Sequence, residues 1–295
     1  MKRCIICNFV IDTTIPLPEA TPWTGRDRPV DLYIRSGSVP PDLGQPTEVP
    51  FVKRAPGGAL ILGDRQSPYF YVSQNSIIVD TSAPDWRSYL LGPVMGLVSY
   101  LNGLLPLHAS AVQIGSRTVA FAGRSGAGKS TTAAALVRRA GHRFITDEVC
   151  AVDCMSTSPL AFPHLPFHKL SSESLERLGL DATTVQRPCG EPGKFYVASE
   201  EFDPTPCVLH AIYFLETTID DCAEGIFPVS RLESVYRLQA ELYRPDLGGM
   251  SVTQASMLLS VAKLVERVRL RRLVRGRRLS DPDSLVRLIE SDAGS

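Results

Sequence analysis

The first eighty residues alternate between short apolar runs and clusters of proline and glycine, a pattern typical of a β-rich region. Prolines and glycines between the runs indicate loops. The predicted strands are Cys4–Ile11, Val30–Arg35, Ala59–Leu62, Tyr69–Val72 and Ser76–Asp80. Because no catalytic signature stands out here, we expect a structural sheet that packs beside the rest of the chain or presents substrate to it.

The pattern becomes helical between Asp85 and Leu104. Apolar residues there recur at steps of three and four, which gives one buried face. That face consists of Leu90, Leu91, Val94, Leu97, Val98 and Leu101. Pro106 ends the helix. We therefore predict a β-rich N-terminal region, 1–104, that ends in this helix, followed by a second domain, 105–295.

Strands and helices alternate in the second domain, which indicates the α/β class. A tight turn at Gly115–Arg117 is predicted to join two strands into a hairpin. The predicted strands are Leu107–Ile114, Val119–Ala122, one that ends at Asp147 and Glu148, and Val208–Leu215; the predicted helices are Thr132–Arg139, Ser171–Leu178, Ser230–Leu242 and Thr253–Val265.

Composition excludes several classes of protein. Hydrophobic residues make up 44% and charged residues 21% of 295 residues, as in soluble globular proteins. Lys+Arg and Asp+Glu both number 31, so net charge does not indicate a nucleic-acid or membrane partner. No apolar run approaches the roughly 20 residues of a membrane span. The pair Cys4 and Cys7 has metal-ligand spacing but no second pair, so no cysteine metal site is predicted.

The most informative segment is Gly123-Arg124-Ser125-Gly126-Ala127-Gly128-Lys129-Ser130-Thr131, which follows a predicted strand and precedes a predicted helix. This context is the one that the phosphate-binding motif G-x-x-x-x-G-K-[ST] requires. Glycines let successive N–H groups point inward, and the helix N-terminus adds positive potential. Lys129 would contact the β- and γ-phosphates, and the Ser130 hydroxyl would hold Mg²⁺. All nine residues are predicted to bind the nucleotide.

Two acids follow the helix after this loop. Asp147 and Glu148 end a short apolar strand, and a βαβ unit would bring that strand end close to the phosphate loop. Acids in this position can bind Mg²⁺, and one can take the proton of an attacking hydroxyl.

The chain has seven cysteines. Because a nucleotide site is predicted, reduced thiols in a cytoplasmic protein are the simpler interpretation of these cysteines.

Basic residues are concentrated in two places. Eight lie between Lys263 and Arg278, which indicates either a solvated helix and strand edge or a docking site for an acidic partner. Arg187, Lys194 and Arg244 are each candidates for stabilising transition-state charge, and their spacing does not choose among them.

The central block resembles the HPr kinase/phosphorylase-related family of P-loop kinases. Three features carry the resemblance: His108 just before the loop, the loop itself, and the acid pair on the next strand. The resemblance implies a P-loop kinase core of the HPr kinase and phosphoenolpyruvate carboxykinase type. It implies transfer of the γ-phosphoryl group of ATP to a serine hydroxyl. Asp147 matches the family's base, His108 the histidine that supports it, and Glu148 a magnesium contact.

The leading hypothesis is therefore an ATP- and Mg²⁺-dependent serine kinase that acts on a peptide or small protein. The wider family includes kinases that phosphorylate lasso-peptide precursors, and such a precursor is one example of a peptide substrate. The alternatives are a kinase of a small hydroxyl compound such as a free amino acid, a P-loop NTPase switch, and a nucleotide-sensing module without turnover. The sequence does not determine the oligomeric state.

Overall fold

The computed structural model describes residues 2–25, 27–40, 43–64, 68–83, 85–181, 193–218, 224–276 and 281–294. The strands in this part of the chain form three β-sheets, of nine, eight and two strands. The strands of the nine-stranded sheet are β1 (Lys2–Ile6), β2 (Phe9–Thr13), β3 (Thr21–Pro22), β4 (Leu32–Ser36), β5 (Gln45–Pro46), β6 (Val52–Arg54), β7 (Leu60–Gly63), β8 (Pro68–Val72) and β9 (Ser76–Val79). Their order across the sheet is β3-β1-β2-β4-β9-β8-β7-β6-β5. A β-rich N-terminal region is confirmed.

The first predicted strand is wrong in one respect, because Cys4–Ile11 is a hairpin. Cys7 and Asn8 have φ values of 49° and 65°, and β1 and β2 pair antiparallel on either side of them. Two central residues with positive φ are typical of the tight turns that join hairpin strands. The turn was hidden because both strands are largely buried and Asn8 is the one polar residue in an otherwise apolar segment.

The helix predicted after the sheet is present, with an interruption. It consists of α1 (Trp86–Tyr89), a π-helical turn at Leu90–Val94 and α2 (Met95–Leu101). Pro93 lies inside the π-helical turn. Proline has no N–H to donate, so the regular ladder cannot continue through it and the turn widens.

The strands after residue 104 form the other two sheets. They are β10 (Leu105–Ile114), β11 (Arg117–Ala122), β12 (Arg143–Thr146), β13 (Val149–Asp153), β14 (Leu160–Phe162), β15 (Phe167–Ser171), β16 (Lys194–Ala198), β17 (Cys207–Thr217), β18 (Gly225–Pro228) and β19 (Arg269–Arg275). β15 and β16 form a two-stranded ribbon, and the others form the eight-stranded sheet. Because β11 pairs with both β10 and β17, the strands β11, β10, β13, β14 and β17 close into a ring.

Helices pack around this sheet. They are α3 (Lys129–Ala140), α4 (Ser172–Leu178), α5 (Arg231–Ala240), α6 (Pro245–Ser251), α7 (Gln254–Arg267) and α8 (Pro282–Gly294). The four helices predicted in this half correspond to α3, α4, α5 and α7. The sequence did not predict α6, since Gly248 and Gly249 weaken its helical signal. In the described ranges, no helix is both long and apolar enough to cross a bilayer.

The largest hydrophobic cluster joins the two halves. Residues of β1, β2 and β4 belong to it together with Ala151, Phe162 and Leu247 from beyond residue 104. The nine-stranded sheet therefore shares its core with the α/β half. A mixed α/β fold is confirmed, and the domain boundary at residue 104 stays a prediction.

Candidate active site

The glycine loop lies between β11 and α3, as the sequence predicts. Gly123, Gly126 and Gly128 have φ values of 147°, 82° and 85°, which L side chains resist. A Cβ at Gly123 would lie 3.0 Å from the carbonyl oxygen of Leu215. Lys129 curls back over the loop, where its Nζ donates hydrogen bonds to the carbonyl oxygens of Gly123 (2.7 Å) and Arg124 (3.3 Å).

The acid pair occupies the break between β12 and β13. Both strands pair with β10, and Asp147 and Glu148 separate them. Glu148 has a φ of 75°, and the Val149 amide donates to the Asp147 carbonyl at 3.0 Å. Such a three-residue turn with positive φ is rare and strained, and strained residues concentrate at functional sites. The turn places both side chains in the cleft beside the glycine loop.

The predicted proximity of the strand end to the loop is confirmed. Both β11 and β12 run antiparallel to β10, so they are parallel to each other, with β10 between them and α3 as their connection. As a result, the Ser130 hydroxyl donates to Oδ1 of Asp147 at 2.9 Å.

Asp147 is held from several sides. Oδ1 also accepts hydrogen bonds from the buried Ser110 hydroxyl at 2.5 Å and from the Glu148 amide at 3.1 Å. Oδ2 accepts the backbone amide of Lys169 at 2.7 Å. The orientation of this carboxylate is therefore fixed by β10, α3 and β15 together.

Glu148 has two side-chain partners. The Lys169 ammonium lies 2.7 Å from Oε2, and the Tyr243 hydroxyl donates to Oε1 at 3.1 Å. Burial alone would raise the pKa of Glu148, but Lys169, His164 and the Tyr243 hydroxyl together outweigh burial and lower this pKa. Glu148 therefore carries a negative charge at neutral pH.

His108 lies on β10 in the same cleft. Its ring packs edge-on against Tyr243, with ring centroids 5.9 Å apart. Burial and the nearby Lys129 charge lower the pKa of His108, and the two acids oppose them only in part. Among the described residues, the side-chain donors to the Asp147 carboxylate are Ser110 and Ser130, and His108 makes no hydrogen bond to it. The supporting role of His108 stays a prediction.

These groups open into a cleft of about 880 Å³. Its other lining residues come from the loop (Ser125, Gly126, Gly128, Thr131), from β15, α4 and β16 (Lys169, Ser171, Glu173, Ser174, Arg177, Lys194) and from the ends of β17 and β19 (Thr217, Thr218, Arg275, Gly276). Thr131 and Ser174 are hydrogen-bonded through their hydroxyls at 2.7 Å, which links α3 to α4.

The three cations predicted as candidates for stabilising transition-state charge differ in their position relative to the cleft. Lys194 lines the cleft, whereas Arg244 is exposed at the start of α6 and does not belong to the described lining. Arg187 lies outside the described residues.

Sequence reasoning missed Arg275 and Lys169. Arg275 ends β19 and donates from Nη2 to the Ala127 carbonyl of the glycine loop, and burial lowers the pKa of its guanidinium. It was hidden within the basic run of residues 263–278. Lys169 lies in a short strand, Phe167–Ser171, whose buried residues are His168 and Leu170, so apolar and polar residues do not alternate there and no sequence pattern marked it.

The donor set fits Mg²⁺ bound together with a nucleotide. Within the described ranges, no three His, Cys, Asp or Glu side chains converge on one metal position. Mg²⁺ in nucleotide sites commonly takes one or two protein oxygens and completes its shell with phosphates and water. Ser130 and Glu148 both line the cleft next to the loop and offer such oxygens.

Comparisons with known proteins add little to this geometry. No family model matches the chain, and no curated protein matches it. Among solved structures, 62 chains match. One is the HPr(Ser) kinase/phosphatase from Coxiella burnetii, at 11% identity and a TM-score of 0.34, covering 63% of this chain and 89% of that chain. A similarity of this size supports no conclusion about function.

Proposed function

We propose that this chain is an ATP-dependent kinase with a P-loop core of the HPr kinase and phosphoenolpyruvate carboxykinase type. It transfers the γ-phosphoryl group to a serine hydroxyl of a peptide or small protein, such as a lasso-peptide precursor. The observation that supports this proposal best is the 2.9 Å hydrogen bond between Ser130 and Asp147. It joins the glycine loop to a cleft-lining carboxylate, as a phosphoryl-transfer site requires.

The glycine loop and the acid pair divide the binding of Mg-ATP. Residues 123–131 hold the phosphates through backbone N–H groups and through Lys129, which already lies on the loop. The hydroxyl of Ser130 and the carboxylate of Glu148 hold Mg²⁺. When bound, this ion neutralises phosphate charge and orients the γ-phosphoryl group.

Asp147 accepts the proton of the attacking hydroxyl. A bond forms between the acceptor oxygen and the γ-phosphorus, the bond from that phosphorus to the ADP oxygen breaks, and the proton passes to Asp147. Its hydrogen bonds to Ser110 and to the Lys169 amide fix its orientation before substrate binds. His108, whose lowered pKa favours the neutral ring, lines the same cleft and packs against Tyr243, where it supports the base.

Labelled-phosphate transfer tests the proposal. The full chain is incubated with Mg²⁺, γ-labelled ATP and a panel of serine peptides, and nucleotide affinity is measured separately by calorimetry. Asp147→Asn should retain nucleotide affinity within about threefold and lose transfer by roughly 10²–10⁴-fold, the usual contribution of a positioned base. The matched control is Asp283→Asn, at an exposed ion pair on α8.

Two results would contradict the proposal. Transfer by Asp147→Asn at nearly the wild-type rate would show that Asp147 is not the base. Release of inorganic phosphate with no labelled acceptor would favour an NTPase, because water would then be the nucleophile.

A further inference from the structure

The β15–β16 ribbon presents one face to the core and the other to the cleft. Its apolar side chains pack with α4 against Ala134 of α3, in a cluster with Leu170, Leu175, Phe195 and Val197. Because side chains alternate along a strand, Lys169, Ser171 and Lys194 lie on the opposite face. All three line the cleft.

The pairing register brings the two lysines together. Ser171 pairs with Lys194, and Lys169 pairs with Tyr196. Lys169 and Lys194 are therefore diagonal neighbours, roughly 7–8 Å apart at their Cα atoms, with Ser171 beside Lys194. Two ammonium groups and a hydroxyl on one small face form a suitable site for an anion.

In the described part of the chain, only one of the two lysines on this face forms an ion pair with a described acid. Lys169 pairs with Glu148, whereas Lys194 makes no ion pair with an acid in the described part of the chain. Burial, and to a lesser extent the Lys194 charge, lowers the pKa of Lys129, so Lys194 and Lys129 act on the same region of the cleft. An anionic group that binds here would relieve their repulsion.

This face begins at the proposed base. The Lys169 backbone amide is 2.7 Å from Oδ2 of Asp147, and its side chain continues toward Glu148. An acceptor whose hydroxyl reaches Asp147 would therefore place its neighbouring groups along the ribbon.

We propose that the face formed by Lys169, Ser171 and Lys194 is an acceptor subsite for a carboxylate. The acceptor hydroxyl then belongs to a serine in an acidic peptide segment or to a free amino acid with its own carboxylate. The inference rests on the proposed function only for the position of the hydroxyl, and the subsite itself can be tested without turnover.

Equilibrium binding tests the subsite. The full chain with Mg-ADP is titrated with fluorescent nine-residue peptides that are blocked at both ends and carry alanine in place of serine, flanked either by Asp and Glu or by Asn and Gln. The acidic peptide should bind about ten- to a hundredfold more tightly, as expected for charge-assisted hydrogen bonds. Lys194→Gln should remove most of this difference, Lys194→Arg should keep it, and Lys194→Glu should favour a Lys- and Arg-flanked peptide.

The control and the competition arms complete the design. Lys2→Gln, at an exposed lysine of β1, should leave the preference unchanged. Displacement of the acidic peptide by L-serine but not by L-serinamide would identify a free amino acid as the source of the carboxylate, whereas displacement by neither would identify the peptide.

Distinct outcomes separate the subsite from the proposed function. Equal binding of acidic and neutral peptides by the wild-type chain would overturn the subsite. So would a Lys194→Gln variant that weakens ATP binding and slows transfer equally with all acceptors, because Lys194 would then serve the γ-phosphate. If the acidic peptide binds through Lys194 but its serine form is never phosphorylated, the subsite stands and the kinase proposal fails.

Discussion

Removal of the Lys169 ammonium tests how the acid pair is held. In Lys169→Met the 2.7 Å ion pair with Glu148 is lost, while the backbone hydrogen bond to Asp147 is retained. Coulomb's law with an effective dielectric constant of about 20 gives about 6 kcal/mol of attraction at this separation. Desolvation offsets much of it, and losing one partner of a fully buried pair costs about 3–5 kcal/mol. Glu148 is 27% exposed, so we expect a loss of about 2–3 kcal/mol in the free energy of unfolding at pH 7.5.

The pH dependence of this loss has a definite sign. Lys169 lowers the pKa of Glu148 below its ordinary value of 4.5, so the stabilisation is present above that pH and disappears as the pH falls through the lowered pKa. Urea unfolding should therefore show a larger difference between wild type and variant at pH 7.5 than at a pH below the lowered pKa of Glu148.

An exposed ion pair supplies the control for Lys169→Met. Arg177 and Glu173 also lie at hydrogen-bonding distance, but their side chains are 53% and 72% exposed. Arg177→Met should therefore lose less than about 1 kcal/mol. Equal losses in the two variants, or a Lys169→Met loss that does not change with pH, would refute the burial and charge assigned to the pair.

Three further predictions follow from the site and its surroundings. Lys129→Ala should weaken both nucleotide binding and phosphoryl transfer, measured by calorimetry and labelled transfer; unchanged values would contradict phosphate binding by the glycine loop. Ser110→Ala removes one hydrogen-bond donor to Oδ1 of Asp147. The free energy of unfolding should therefore fall by about 1–3 kcal/mol, and kcat should fall more than nucleotide affinity. A change in nucleotide affinity alone would argue against a positioning role for Ser110. Burial lowers the pKa of His168 to about 3, so the unfolded chain binds a proton below about pH 6.5 that the folded chain does not, and acidification destabilises the fold. His168→Leu should reduce the slope of unfolding free energy between pH 6 and pH 4 by up to about 1.4 kcal/mol per pH unit, and an unchanged slope would refute the assignment.

Local signals explain what the sequence could predict. The glycine loop is specified by nine consecutive residues and by its flanking strand and helix, so its position and conformation could be predicted. Asp147 could be placed beside Ser130 because one helix and one strand connect them, and such units pack in few ways.

The remaining contacts depend on long-range pairing. Ser110 and Tyr243 reach the acid pair from β10 and from the segment after α5, and neither belongs to a recognisable motif. Lys169 acts through the register of β15 against β16, and Arg275 through the position of β19 next to β17. A periodic pattern gives the type of an element, but it does not identify which distant strand will be its neighbour.

The closed ring of β11, β10, β13, β14 and β17 has a consequence for the motion of the proposed kinase. Every strand of the ring has a partner on both sides, so none can peel away singly, and its central amides should exchange with solvent only when the whole unit opens. The β15–β16 ribbon, by contrast, is a two-stranded sheet on its own. The ring should therefore act as the fixed body that carries the glycine loop. Any adjustment to the acceptor then falls to the ribbon, where hydrogen exchange should be fastest and most sensitive to bound substrate.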